Sequence, residues 1–213
     1  DNFKKIFNYY FEVFVFPFYF NQKKRVGKTL FSNINKHYTF NYTPTFDKFY
    51  SNAQKTSFLH GKIDSSSNQI VLGINEIPDG ELDKRYFLPF TKYFQKLNNN
   101  TDFEFITEFE KKKNVNYIFF FFGHSLDSSD SDYINEIFNF VNDLNSRIKK
   151  IVIIHHNDKS KSQLLLNLLN IRGNDDIQKL MKKNILVFNH IDSIELKREL
   201  DRDITKSPMI TIS

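Results

Sequence analysis

The sequence predicts an α/β domain: a Rossmann-like, mostly parallel sheet with helices on both faces. Three observations carry that expectation. Residues Tyr117 to Phe122 form an unbroken apolar run, the pattern of a strand buried on both faces. Apolar residues then recur at Tyr133, Ile134, Ile137, Phe138 and Val141, the spacing of an amphipathic helix. A second apolar strand, Lys150 to His155, follows after a connection long enough for a right-handed crossover.

The remaining elements follow in order. Residues 1–36 are dense in Phe and Tyr but lack a clean period. A helix is expected from Phe3 to Phe16, broken near Pro17, with an aromatic surface that needs something to pack against. His37 to Tyr42 alternates as a strand, and Thr45 to Tyr50 makes a short helix with Pro44 near its first turn. Phe58–Gly61 and Gln69–Gly73 are short strands, a hairpin or neighbours, around the polar turn Asp64–Asn68. Asn75 to Arg85 is a polar loop with an Asp79-Gly80 turn. Two helices, Phe90–Leu97 and Thr101–Lys112, lead into the strand 117–122 and the helix 130–147. After the strand at Lys150 come helices over 159–171 and 175–182 and a strand at Ile185–Phe188. Met209 to Ile212, just beyond Pro208, reads as a short edge strand. No repeat or linker divides the chain, so 1–213 is expected to be one domain.

A chain of 213 residues is long enough to bury about 70% of its unfolded surface. The 25 Phe and the single alanine, Ala53, reflect the codon bias of an AT-rich genome more than a functional demand. The net charge of +5 raises the question of a nucleic-acid partner. The lysines are spread along the chain in short runs such as Lys111-Lys112-Lys113 and Lys182-Lys183, which fits solvated helix faces better. The absence of cysteine excludes disulfides, thiolate metal sites and a Cys nucleophile. It fits a reducing compartment, and a cytoplasmic location is expected. The longest apolar run, Phe11 to Phe20, is too short to span a bilayer and contains Glu12 and Pro17. No membrane partner is expected. The chain begins with Asp rather than Met and is read as a piece of a longer protein.

Three segments place polar groups at the ends of expected strands: Asn41-Tyr42-Thr43, His60-Gly61, and Gly123-His124-Ser125 with Asp127 and Asp130. In a parallel sheet all carboxyl ends share one edge, where ligands bind. An Asn amide can orient a water or a ribose hydroxyl, and a His can act as a general base. A small Gly-x-Ser turn lets backbone N–H groups approach a phosphate or ribose closely. The competing reading of the turn at 123–130 is an ordinary strand-to-helix connection in which Ser and Asp only cap the helix. Asp127 and Asp130 have the chemistry to hold Mg²⁺, but Asp130 is equally well explained as an N-cap. His155 and His156 are adjacent, so strand alternation should turn them to opposite faces. No metal site is expected there, and His37 and His190 read as structural or surface residues.

Taken together, Phe40-Asn41-Tyr42-Thr43-Pro44-Thr45-Phe46, Leu59-His60-Gly61-Lys62, Val71-Leu72-Gly73 and Phe122-Gly123-His124-Ser125-Leu126-Asp127-Ser128-Ser129-Asp130 resemble the bacteriophage abortive-infection AbiH family. The resemblance runs from about Tyr38 to Phe140 and implies a role in phage defence. More distantly, the order of motifs is similar to sirtuin-related NAD-consuming domains. That likeness implies that Asn41 contacts the nicotinamide ribose, that His60, followed by Gly61, acts as base, and that Gly123-His124-Ser125-Leu126 holds the nucleotide. NAD or a related nucleotide would be the substrate, with no metal. Both groups begin their nucleotide site with a glycine-rich N-terminal motif, like Gly-Asn-Gly-Phe-Asp in AbiH-like proteins. This chain lacks it, so the sheet is expected to lack its N-terminal nucleotide-binding strand and loop. The sirtuin zinc module is also missing, which points to NAD hydrolysis rather than deacylation. A non-enzymatic module that senses a nucleotide or a phage product is the alternative. Candidate partners are therefore a nucleotide, a phage-derived trigger and a second copy of the chain.

Overall fold

The computed structural model describes residues 2–21, 31, 33–49, 56–63, 70–74, 77, 84–99, 115–202 and 209–212. Among the described residues, six strands form one sheet: β1 (Lys36–Thr39), β2 (Thr56–Phe58), β3 (Tyr117–Phe121), β4 (Lys149–His155), β5 (Leu186–His190) and β6 (Met209–Ile212). Their order is β2-β1-β6-β3-β4-β5, and every pairing is parallel. The helices are α1 (Asn2–Tyr10), α2 (Phe16–Asn21), α3 (Thr45–Phe49), α4 (Lys84–Phe87), α5 (Lys92–Asn99), α6 (Ser131–Asp143), α7 (Asp158–Arg172), α8 (Asn174–Lys182) and α9 (Ile194–Leu200). The α/β class with helices on both faces is confirmed. None of these helices is long and apolar enough to cross a membrane.

Strand alternation divides the core in two. On one face Tyr117, Phe119 and Phe121 of β3 and Ile151 and Ile153 of β4 pack with Tyr133, Ile137 and Phe138 of α6, Leu168 of α7 and Ile177 of α8. On the other, Ile118, Phe120, Val152 and Ile154 meet Phe31, Phe46 of α3, and Leu196 and Leu200 of α9. All five side chains of β3 are buried, so each contributes about 1.5–3 kcal/mol of transfer free energy. A polar substitution anywhere along β3 would strike one layer or the other.

Several expectations are corrected. Met209–Ile212 is a central strand, paired on both sides by β1 and β3. Four residues are too few to tell an edge from a centre, and pairing decides it. Pro17 does not end the N-terminal helix. A π-helical turn over Phe11–Val15, with Phe16 N–H bonded to Phe11 O, precedes α2. That wider register moves the preceding carbonyl away from the proline ring, which would clash in a continuous α-helix. α6 stops at Asp143, where Leu144 turns extended in a run of Asn, Asp and Ser that favours caps and turns over helix. Residues 70–73 form no strand; Ile74 makes an isolated parallel bridge with Thr91. Helix α9 was not expected at all, although Ser193 caps it through Leu196 N–H at 3.2 Å. The expected helix over 101–112, the 64–68 turn and most of the 75–85 loop lie outside the described residues.

Candidate functional site

The chain crosses from one side of the sheet to the other around β6, and ligands in open α/β sheets bind beyond the strand ends at such a switch point. Three strand ends converge there. After β1, Phe40 places its ring 4.3 Å from the His124 ring, 5.1 Å from His60 and 5.3 Å from Tyr133, centroid to centroid. After β2, the turn Leu59-His60-Gly61 is tied back by Leu59 N–H to Thr39 O at 2.9 Å. Gly61 takes φ +79°. The Tyr133 hydroxyl reaches over from α6 to donate to Leu59 O at 3.2 Å, and Tyr42 OH donates to Val71 O at 2.8 Å. Burial and the Asp130 charge push Tyr42 up to about 12, so its hydroxyl stays a donor.

Asp130 is the centre of the constellation. It is buried, and its Oδ1 lies 3.1 Å from His60 Nε2 and 3.1 Å from Lys92 Nζ, while Oδ2 lies 3.4 Å from His124 Nε2. Lys92, at the start of α5, also donates to Ser129 Oγ at 3.1 Å. Burial alone would raise Asp130. Hydrogen-bonding contact with His124 and His60, and the charges of His60 and Lys92, outweigh it and hold the carboxyl well below the usual carboxylate range. His60 is also lowered from its ordinary value: burial lowers it, assisted by Lys92 and Lys96, and Asp130 only partly restores it. His60 Nε2 is buried and faces Asp130 Oδ1 at 3.1 Å. His124 Nδ1 accepts from Leu126 N–H at 2.9 Å. That assigns its proton to Nε2, the atom facing Asp130.

The capping reading of the turn therefore splits between two residues. Asp127 is the cap: it is exposed, and its carboxylate accepts from Ser129 N–H at 2.9 Å. Asp130 makes no side-chain cap bond, and its charge goes to the histidines and Lys92. Gly123 has φ +68°, and a Cβ placed on it would meet nothing within 4 Å. Open space thus faces the turn.

That space continues as a cavity of about 580 Å³ between the 123–125 turn and the N-terminus of α7, within the size of ordinary ligand pockets. Gly123, His124, Ser125, His155, His156 and Gln163 are among its lining residues. Both adjacent histidines line it, contrary to the alternation argument, because β4 ends at His155 and His156 lies beyond the pleat. No group of three His, Cys, Asp or Glu able to hold a metal ion occurs among the described residues.

Of the expected site residues, the fold brings His60, His124 and Asp130 together, and sets Gly123 and Ser125 beside them. Ser125 is exposed and its carbonyl accepts from Asn167 Nδ2 at 2.8 Å. Asn41 lies at the same sheet edge, exposed, with its backbone N–H on Thr39 Oγ1 at 3.1 Å. It takes no part in the Asp130 network. Lys92, Phe40 and Tyr133 were missed. Lys92 had no legible signal, since a lysine opening a helix reads as solvated surface.

Fold and site together define a doubly wound α/β protein with a charged, histidine-bearing centre and an adjoining cavity at the carboxyl edge of its sheet. Comparison with known proteins gives the lineage: the model of the family described as bacteriophage abortive infection AbiH matches residues 3–155. The chain belongs to that family, and the match supports a role in abortive infection as a phage defence. No curated protein and no solved structure matches the chain significantly.

Proposed function

We propose that the carboxyl edge of the sheet binds NAD or a related nucleotide and hydrolyses its N-glycosidic bond, as the effector step of phage defence. The observation that supports this reading best is the junction of His60, Asp130 and His124 beside the turn at Gly123. Gly123 to Ser125 would take the phosphates and ribose, where an absent Cβ lets backbone amides come close. Asn41 would orient a water or a ribose hydroxyl. With Nε2 turned to Asp130, His60 offers Nδ1 as the base. Water adds at the anomeric carbon, the carbon–nitrogen bond breaks, nicotinamide leaves with the electron pair as a neutral molecule, and His60 removes the surplus proton. Asp130 stabilises the imidazolium that forms. No metal enters this scheme.

Such chemistry would draw on a cytoplasmic nucleotide pool and would need a trigger, phage-derived in this reading, to hold it in check beforehand. The exposed aromatics Phe3, Tyr9, Phe14, Phe18 and Phe20 are the surface through which a second copy would associate. One observation favours binding without turnover: His60 is only 5% exposed, so the site would have to open for chemistry. In that case the same edge senses a nucleotide. NAD loss over time, measured with the full-length protein and its His60→Ala variant with and without phage lysate, separates the two. Consumption that requires His60 supports the enzyme. Nucleotide binding with no consumption in any condition supports the sensor.

A further inference from the structure

At the opposite edge of the sheet, the amino-terminal ends of β4 and β5 gather a second concentration of charge. A cleft of about 340 Å³ is lined there by Arg147, Lys149, Lys150, Lys183 and Arg202, together with Asn184 and three further residues. The cations come from the turn before β4, from β4 itself, from the end of α8 and from beyond α9. Their scatter along the sequence hid the cluster.

Part of this charge has a structural use. Lys149 Nζ donates to the carbonyls of Leu144 at 2.7 Å and Asn142 at 3.3 Å, complementing the negative end of α6. Lys150 and Arg202 share the buried carboxylate of Glu199 from α9. Arg147 and Lys183 are exposed and have no ion pair among the described residues. The carboxylates acting on the cluster are Glu199 and, toward Lys149, Asp143 of α6. Among the described residues, five cations thus face two carboxylates in a concave site. Burial lowers Lys149, and the charge of Lys183 lowers it further, so the cluster is held against its own repulsion.

We propose that this cleft binds phosphate groups, carried either by a polyphosphate or by a stretch of nucleic-acid backbone, at a site separate from the carboxyl edge. The guanidinium of Arg147 supplies a planar fork that matches two phosphate oxygens, and Lys183 supplies a compact charge beside it. Binding an oxyanion relieves the repulsion that the folded chain maintains. The cleft is open to solvent, so a chain of phosphates can pass along it.

The test uses the full-length protein with two probes, inorganic tripolyphosphate by calorimetry and a fluorescently labelled 12-nucleotide single-stranded DNA by anisotropy. Each is measured at about 50 and 200 mM salt, the range over which phosphate contacts show their salt dependence. The double variants are Arg147→Glu with Lys183→Glu, the milder Arg147→Gln with Lys183→Gln, and a charge control on α1, Lys5→Glu with Asn2→Glu. All carry exposed positions, and circular dichroism checks that they fold. Binding of either probe that falls at least tenfold in the first variant, less in the second and little in the control supports the cleft. Binding of DNA alone identifies nucleic acid as the source of the phosphate. Absence of binding in the unmodified protein, or equal weakening by cleft and control variants, overturns the proposal.

Discussion

His60 and Asp130 meet at 3.1 Å although they come from different crossover units of the sheet, one from the turn after β2 and the other from the start of α6. Asp130→Asn removes the one negative charge that raises His60 and the partner of Lys92. The expected outcome is a further fall in the His60 pKa and a loss of about 3 kcal/mol, the cost of leaving a buried charge unpaired. If NAD is consumed, its rate should fall about 100-fold or more, the worth of a positioned base. Urea denaturation and NAD assays read these separately. A variant that is as stable as the unmodified protein would deny Asp130 its central place.

Lys92 acts on the same pair from α5. Its charge lowers the His60 pKa, so Lys92→Met should raise it. The check is an NMR titration of the His60 ring. An unmoved or lowered pKa would mean that Lys92 serves Ser129 and the fold alone.

Gly73 controls where Lys92 stands. A Cβ at Gly73 would lie 1.9 Å from Phe90 O, the carbonyl that accepts from Ile74 N–H at 3.1 Å. Lys92 N–H in turn donates to Ile74 O at 2.8 Å. Gly73→Ala should therefore push 90–92 aside and cost about 2–3 kcal/mol by overpacking against backbone. Equilibrium denaturation measures it, and an unchanged midpoint would show that the segment yields freely.

Stability should also depend on pH through His37. Its ring stacks on Phe46 with centroids 3.9 Å apart, and burial lowers its pKa to about 3. A histidine neutral in the fold and free to charge when unfolded favours unfolding as pH falls. Full stability holds above pH 6.5, and the loss runs from there down to about pH 3. The slope is at most about 1.4 kcal/mol per pH unit for one group. His60 and His155, also lowered by burial, add in the same direction. His37→Phe keeps the stacked ring and removes the titration, so its Tm should fall less between pH 7 and pH 5.5. Parallel pH curves for the two proteins would contradict this.

Local pattern determined much of the molecule. Tyr117–Phe121 had to be a buried strand because every residue is apolar. Tyr133, Ile137 and Val141 had to share a helix face. His60 and Gly123–Ser125 had to fall at strand ends because polar and small residues break the apolar runs there. Family membership was legible for the same reason, since it rests on several motifs in order. Only the tertiary structure decided that Met209–Ile212 is central, that Asp130 rather than Asp127 carries the buried charge, and that Lys92 joins it. It also decided that five dispersed cations share one cleft. Each of these depends on contacts between residues far apart in the chain. A four-residue strand, a helix-opening lysine or a lone aspartate looks the same in sequence whether it is buried at a junction or bathed in water.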